Sequence, residues 1–500
     1  MVARLRPKVH WLVAGVVRAP LQMKRYVLQT FGCQMNVHDS DRIADVLSRH
    51  GYSITDEPTL ADALVINSCS VREKAEHKLV SLVGALRLLK EQRPDLVIAV
   101  AGCMAQHAGR ALLRRVPLVD VLIGPDNIAE LPGLLDAARR GAGPQVRTEL
   151  DLAAPQFLCA PTDGLRAGAS AFVTVMKGCD ERCSFCIVPY TRGSERYRPA
   201  RDIVAEVRAL VAAGVREIVL LGQTVNSWFE PGTVRRRGSS QFAELLRRIA
   251  HEVPELLRLR YTSPHPRHLT SSLIEAHATL DVLPWHVHLP VQSGSDRVLK
   301  RMIRRYRRDT FIERARALCA ARSGFTLSTD VIVGFPGETE QDFQQTLSLV
   351  REVGFVSAFA FKYSPRPHTS ALALADDVPE AVKDERLQRV LALVEKQQQA
   401  HLRSLVGTRT QVLIEGPGRG DSTRFKGRSH RHEIVHVAVQ APSGGLVGRL
   451  LEVEICQAHR HSVSAMACDA REGLRQAAAR ARRHDATRRG GSLHLPVFSA

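Results

Sequence analysis

Continuous apolar runs alternate with helical patterns over residues 24–140, where the apolar positions of each helical pattern recur three and four residues apart. The strongest runs are residues 26–32, 63–68 and 96–102. Apolar strands that alternate with helices predict a parallel sheet covered on both faces, in an α/β domain. The alternation resumes over residues 165–399, where six strand–helix units predict an open (β/α)6 barrel with its chemistry at the carboxyl ends of the strands.

The pattern changes after residue 402. Residues 408–412, 433–439 and 446–453 read as short alternating strands separated by glycine turns. This predicts a small carboxyl-terminal β-barrel over residues 402–468, of a kind that commonly binds oligonucleotides. The fold class expected for the whole chain is therefore a multidomain α/β protein that ends in a small β-barrel.

A cysteine comes directly after each apolar run of the first domain: Cys33, Cys69 and Cys103. A single buried cysteine at a strand end is more often plain packing than chemistry. Three at near-equal spacing are less easily explained by chance. Because ligands gather at the carboxyl ends of parallel strands, we expect the three thiols to meet in one place.

A second cysteine triad lies in one tight loop after the apolar strand 171–176. Cys179, Cys183 and Cys186 form a CxxxCxxC pattern. Thiolates are soft ligands for iron and zinc, and a four-iron cluster held by three of them keeps one iron open to a small molecule. The alternative is half of a structural zinc site, but no second ligand pair follows at zinc spacing.

Basic residues cluster around one predicted turn of the small barrel. Arg424, Lys426, Arg428 and Arg431 supply the charge, and Phe425 is expected to supply a stacking face for a base. A basic hairpin can also be no more than a solvated face. The small barrel itself favours the prediction that this cluster binds RNA.

The composition agrees with a polyanionic partner. The 70 Lys and Arg outnumber the 51 Asp and Glu, which gives a net charge of +19. No apolar run is long enough to cross a bilayer. Ten cysteines in so long a chain do not indicate a disulfide scaffold, so we expect metal sites in a reducing compartment, the cytoplasm. Residues 1–22 are expected to be a basic extension, and 469–500 an Arg-rich tail that adds nonspecific phosphate affinity.

The cysteine loop, with its aromatic residue just before the last cysteine, resembles that of the radical S-adenosylmethionine (SAM) enzymes. Segments 32–36, 67–73 and 101–105 resemble the amino-terminal domain of the methylthiotransferases. This resemblance implies two four-iron, four-sulfur (4Fe-4S) clusters. Cys179, Cys183 and Cys186 would hold the cluster that binds SAM, and Cys33, Cys69 and Cys103 would hold an auxiliary cluster that supplies sulfur.

The same resemblance extends to the strand ends of the barrel and to the last domain, which is similar to the family's RNA-binding TRAM domain. It implies that the SAM and substrate cavity is lined by Phe185, Gln223, Asn226, Gln292, Ser293, Asp330, Gly334 and Arg366.

One family branch adds a methylthio group to C2 of N6-isopentenyladenosine next to the anticodon of tRNA, and the segment 34–36 after Cys33 resembles this branch. The alternatives are the branches that modify threonylcarbamoyl-adenosine in tRNA or an aspartate of a ribosomal protein. A remote alternative is a catalytically silent iron-sulfur protein that binds RNA. For the enzyme we expect the tRNA anticodon loop as partner, an external electron donor such as flavodoxin or ferredoxin, and a monomeric state.

Overall fold

The computed structural model describes residues 23–70, 73–150, 157–158, 168–234, 240–418, 423–439 and 445–468. The predicted extension 1–22 and the predicted tail 469–500 lie outside these residues. No helix in the described part of the chain is both long enough and apolar enough to cross a membrane.

A parallel sheet of six strands forms the first unit, in the order β2-β1-β3-β4-β5-β6. Apolar clusters pack on both of its faces, which confirms the predicted covered parallel sheet. Its strands are β1 (Lys24–Phe31), β2 (Tyr52–Ile54), β3 (Ala63–Ser68), β4 (Val97–Ala101), β5 (Val121–Ile123) and β6 (Gln145–Arg147). Its helices are α1 (Gln34–Arg49), α2 (Glu73–Ala85), α3 (Arg87–Gln92), α4 (Cys103–Ala108), α5 (Arg110–Arg115) and α6 (Leu131–Arg139).

The central unit contains six parallel strands in two groups of three, β11-β10-β7 and β12-β13-β14, around one shared apolar core. This agrees with the predicted open barrel of six strands. The strands are β7 (Ser170–Thr174), β10 (Glu217–Leu221), β11 (Arg258–Tyr261), β12 (His286–His288), β13 (Thr326–Val333) and β14 (Ser357–Lys362), with a short pair β8 (Met176–Lys177) and β9 (Arg196–Tyr197) beside them. The helices are α7 (Val188–Arg192), α8 (Ala200–Ala212), α9 (Gln241–Glu252), α10 (Ser271–Thr279), α11 (Asp296–Arg301), α12 (Arg308–Ala320), α13 (Glu340–Val353) and α14 (Glu380–Ser404).

A closed five-stranded barrel follows α14, with the strand order β15-β16-β17-β19-β18. This confirms the predicted small barrel. The strands are β15 (Arg409–Pro417), β16 (Arg424–Ser429), β17 (Ile434–Ala438), β18 (Leu450–Ala458) and β19 (Val463–Ala467). The basic residues do lie around one hairpin turn, since Arg431 lies in the turn that joins β16 to β17. Arg424, Lys426 and Arg428 belong to β16 itself, a strand that the sequence pattern did not predict.

Buried charged side chains join the units. Between the first sheet and the central unit, Asp126 accepts from Lys177 at 2.9 Å and from Arg196 at 2.6 Å. Between the central unit and the small barrel, the fully buried Arg258 donates to the carbonyl of Arg428 at 2.7 Å. Buried charges need such partners, so these contacts fix how the units meet.

Candidate iron-sulfur sites

The amino-terminal thiol site lies at the carboxyl edge of three neighbouring strands. Cys33 follows β1, Cys69 follows β3, and Cys103 is the first residue of α4 after β4. Cys69 and Cys103 are buried and Cys33 is half-buried. A hydrogen bond between the thiols of Cys33 and Cys69 lowers the pKa of Cys33 to about 6. The three strand-end thiols therefore lie together, as the parallel sheet predicts.

Two glycines and an amide pair shape the backbone at this edge. Gly102 has φ 90°, and a Cβ there would lie 2.2 Å from the side-chain oxygen of Asn67. A Cβ on Gly32 would lie 2.6 Å from the Cβ of Cys69. Asn36 donates to Asn67 at 3.1 Å, and Asn67 donates to the carbonyl of Asn36 at 2.8 Å. There is no room for a side chain at either position. Glycine at both therefore allows the strand ends, and the cysteines that follow them, to pack this closely.

A cation from the central unit contacts this thiol site. Arg192, the last residue of α7, donates from Nε to the Sγ of Cys103 at 3.1 Å and from Nη2 to Asp39 at 2.5 Å. Burial raises the pKa of Cys103, and the positive charge of Arg192 opposes that effect. A guanidinium beside a thiolate stabilises the charged form that binds metal.

The second thiol site is a single loop between β8 and α7. Gly178 begins the loop with φ 81°, and a Cβ there would lie 2.0 Å from the carbonyl oxygen of Ser194. The N–H of Cys179 donates to the carbonyl of Gly193 at 3.1 Å, and that of Cys186 to the carbonyl of Cys183 at 3.0 Å. Cys179, Cys183 and Cys186 are thus presented by one tight turn, without help from a distant strand.

A buried arginine also contacts a thiol of this loop. Arg304 donates to the Sγ of Cys183 at 3.3 Å, and the hydroxyl of Thr224 lies 2.9 Å from the Sγ of Cys179. Burial raises the pKa of Cys179 to about 11 and that of Cys186 to about 12. A bound metal cation would stabilise the three thiolates of this loop together, so the loop is suited to metal.

The ligand number and type of each triad favour an iron-sulfur cluster over structural zinc. A structural zinc ion takes four protein ligands. Each triad offers three thiolates, and the one compact group of metal-type ligands among the described residues contains no cysteine. A four-iron cluster uses thiolates alone and keeps one iron open when three of them hold it, so both triads fit such a cluster.

One compact group of other metal-type ligands lies beside the cysteine loop: Glu181, His265 and His268, whose ligand atoms fall within 4.8 Å. Glu181 accepts from His268 at 2.6 Å. The Nδ1 of His265 accepts from the backbone N–H of Arg267 at 3.2 Å, so its proton sits on Nε2, which then lacks the lone pair that a metal needs. Burial opposes ionisation of Glu181, yet the hydrogen bond from His268 holds its pKa at about 2. This carboxylate therefore anchors the cysteine loop to the end of β11.

The SAM contacts implied by the resemblance divide into two groups. The Gln223 side-chain oxygen accepts from the N–H of Gly178 at 2.6 Å, and its buried Nε2 has no hydrogen-bond partner among the described residues. Asp330 lies 3.2 Å from His288, Gln292 holds φ 74° at the end of β12, and Arg366 is partly exposed near the end of β14. These four remain predicted contacts.

Other members of the set are occupied by packing contacts. Asn226 uses both side-chain atoms to clamp the backbone of His265, at 2.8 and 3.0 Å. Ser293 is fully buried and lies 3.3 Å from the Thr346 hydroxyl on α13. A Cβ on Gly334 would lie 2.3 Å from Lys383, and Phe185 packs in a small apolar cluster with Phe335. These contacts position the four residues at the strand ends, and their role in the SAM and substrate cavity remains a prediction.

The predicted RNA-binding residues also separate. Along β16, Arg424 and Lys426 point outward and are exposed, whereas Phe425 between them is buried in the barrel core. Its predicted stacking role is wrong for this reason. Arg428 pairs with Glu415 at 3.1 Å and Arg431 pairs with Glu433 at 3.2 Å, so both have acidic partners within the barrel.

Two family models match the parts of the chain that contain the two cysteine triads. Residues 25–124 match the family model described as "Uncharacterized protein family UPF0004", and residues 173–350 match the Radical SAM superfamily. A tRNA-2-methylthio-N(6)-dimethylallyladenosine synthase of Sorangium cellulosum is 55% identical, over 96% of this chain and 99% of its own. The same-named protein of Acidithiobacillus ferrooxidans is 46% identical, over 88% and 96%. A solved radical SAM methyltransferase, TsrM from Kitasatospora setae, covers 80% of this chain and 79% of its own with a TM-score of 0.50 at 14% identity, which supports the fold alone.

Proposed function

Because the chain belongs to the family of the tRNA-2-methylthio-N(6)-dimethylallyladenosine synthases, we propose that it transfers a methylthio group to C2 of the adenine in N6-isopentenyladenosine next to the anticodon. It is a radical SAM methylthiotransferase that uses SAM and 4Fe-4S clusters. The observation that carries the proposal is the pair of three-thiol sites, which one short helix, α7, connects.

The two sites have different tasks. When bound, the cluster of the cysteine loop and SAM supply the radical and the methyl group, and the auxiliary cluster supplies the sulfur. Cys179, Cys183 and Cys186 would hold the first cluster. Gln223 fixes the start of their loop through Gly178 and offers its free amide N–H groups to SAM. The three strand-end cysteines would hold the second cluster, at the carboxyl end of α7, where Arg192 contacts Cys103.

A cavity of about 460 Å³ beside the cysteine loop supports entry of a base that has left its stack. The rings of Tyr197 and Phe229 line it with their centroids 4.3 Å apart. The charged groups of its lining are Arg267 and Arg305 together with the carboxylates of Asp180, Glu181 and Glu195. Aromatic rings and arginine guanidinium planes are the groups on which an unstacked base stacks. An aspartate side chain of a protein would need no such stacking face.

The remaining partners follow from the same chemistry. The exposed Arg424 and Lys426 are proposed to bind tRNA phosphates outside the cavity. An external donor of the flavodoxin or ferredoxin type would supply electrons. The enzyme is proposed to act as a monomer in the cytoplasm, where thiols stay reduced.

Nucleoside mass spectrometry of tRNA tests the substrate. In cells that lack the gene and carry no second enzyme of this type, N6-isopentenyladenosine should accumulate without its methylthio group. The wild-type gene should restore the modification, and the Cys183→Ala variant should not. Full methylthiolation in the deleted strain would contradict the proposal, and loss from threonylcarbamoyl-adenosine instead would identify the sister branch.

A further inference from the structure

Arg192 belongs by sequence to one thiol site and by contact to the other. It ends α7, the helix that follows the radical SAM cysteine loop, yet it donates to the Sγ of Cys103 at 3.1 Å in the amino-terminal site. Its side chain is only 4% exposed. A buried guanidinium carries donors on three nitrogens that all need acceptors, so the partner of each nitrogen is informative.

Two of the three nitrogens of Arg192 are satisfied. Nε donates to Cys103, and Nη2 donates to Asp39 at 2.5 Å. Nη1 is buried and has no hydrogen-bond partner among the described residues. A cationic donor left unpaired inside a protein is costly, so an anionic ligand at this site would gain a hydrogen bond that Nη1 otherwise lacks.

Arg304 provides the internal comparison. It contacts Cys183 of the other triad in the same way, from Nη1 at 3.3 Å. Its Nε donates to the hydroxyl of Tyr306, and its Nη2 donates to the carbonyl of Pro290, each at 3.1 Å. Both arginines therefore donate to a cysteine of a triad. Of the two, Arg192 alone has a nitrogen without a hydrogen-bond partner among the described residues.

The orientation of Arg192 is fixed from the opposite side. Asp39 is itself buried, and His38 beside it lies 3.6 Å from the Asp39 carboxylate and 3.0 Å from the hydroxyl of Thr174. Because Nε and Nη2 of one rigid planar group are both held, by Cys103 and Asp39, Nη1 cannot rotate away. The spare donor is thus preorganised at the amino-terminal thiol site.

We propose that Arg192 is the positioning residue of the amino-terminal site: it makes the auxiliary cluster easier to reduce through Cys103, and its free Nη1 binds a small sulfur anion, hydrosulfide or methanethiolate. The inference rests on the proposed function, which requires sulfur at this site. A hydrogen bond to a cluster ligand withdraws negative charge and raises the reduction potential. A guanidinium N–H next to an open iron also offers a charge-assisted hydrogen bond to an anionic ligand of that iron.

The test uses the full-length, reconstituted protein with Cys179, Cys183 and Cys186 replaced by Ala, so that only the auxiliary cluster gives a signal. Electron paramagnetic resonance of the reduced cluster is followed during a redox titration and during a titration with sodium methanethiolate. Arg192→Gln should lower the midpoint potential and weaken methanethiolate binding about tenfold or more, as expected for a lost charged hydrogen bond. Arg192→Lys keeps the positive charge but loses the planar set of N–H donors. It should therefore lower the midpoint potential less than it weakens methanethiolate binding.

Arg304→Gln in the same background is the matched control and should change neither quantity. The double variant Arg192→Gln with Asp39→Asn leaves no unpaired buried charge, so it tests the inference if the single variant loses its cluster. Wild-type potential and wild-type methanethiolate affinity in the Arg192 variants would overturn the inference. A background protein that binds no iron would instead overturn the two-cluster function on which the inference rests.

Discussion

The two thiol sites have the same ligands and opposite construction. Cys179, Cys183 and Cys186 lie in one loop that a single glycine begins, so their geometry is local. Cys33 and Cys69 come from strands that are neighbours only in the folded sheet, and Cys103 follows a third strand. The first set depends on a turn and the second on tertiary structure. A change in the amino-terminal sheet should therefore affect one cluster and spare the other.

The largest expected effect is the loss of the radical reaction. Cys183→Ala removes one ligand of the SAM-binding cluster and the thiol that Arg304 contacts. Production of deoxyadenosine from SAM by the reduced enzyme should fall below detection, because no other described group supplies an electron to SAM. The auxiliary cluster should persist. Deoxyadenosine formed at the wild-type rate would exclude the radical mechanism at this loop.

A matched pair of glycine substitutions tests the contrast in construction. Gly102→Ala would place a Cβ 2.2 Å from the Asn67 oxygen, and Gly178→Ala would place one 2.0 Å from the Ser194 carbonyl. Each also forces a side chain into a positive φ, at a cost of about 2 kcal/mol. Gly102→Ala should deplete iron from the auxiliary site alone, and Gly178→Ala from the radical SAM site alone, as measured by Mössbauer spectroscopy. Equal depletion of both sites by either change would contradict separate construction.

The smallest expected effect concerns RNA. Charge reversal of both Arg424 and Lys426 removes two exposed cations from β16 without touching the barrel core. It should weaken tRNA binding and flatten the dependence of log affinity on log salt by about 2, one unit for each lost phosphate contact. Arg87→Glu, an exposed charge change in the first domain, is the control. An unchanged slope would place the phosphate contacts elsewhere.

The sequence predicted the features that depend on local pattern or strand order. Apolar runs located the strands, and the position of each cysteine after a run placed the amino-terminal thiols at one edge. Strand alternation along β16 would have shown that Phe425 points inward between Arg424 and Lys426, but β16 was not among the predicted strands. The wrong stacking role of Phe425 came from this missing strand, not from the charge pattern.

Contacts between distant segments could not be predicted in this way. Nothing in the spacing of Glu181 and His268 indicates that the turn after β11 meets the cysteine loop. Likewise Arg192 follows the radical SAM cysteines in sequence, and only the packing of the two units brings it to Cys103. Ser293 lies at a strand end as expected, but α13 covers it. Such pairings depend on how whole elements pack, which the local sequence does not encode.

The central claim is that one triad serves the radical reaction and the other supplies sulfur. It is tested most directly by replacing Cys33, Cys69 and Cys103 together with Ala. One reconstituted sample is then assayed for iron, deoxyadenosine and methylthiolated tRNA nucleoside. The protein should keep about half of its iron, because the loop triad still binds its own cluster. It should still cleave SAM and should form no methylthiolated product. Methylthiolated product at the wild-type level, full retention of iron, or loss of all iron from folded protein would each contradict the account.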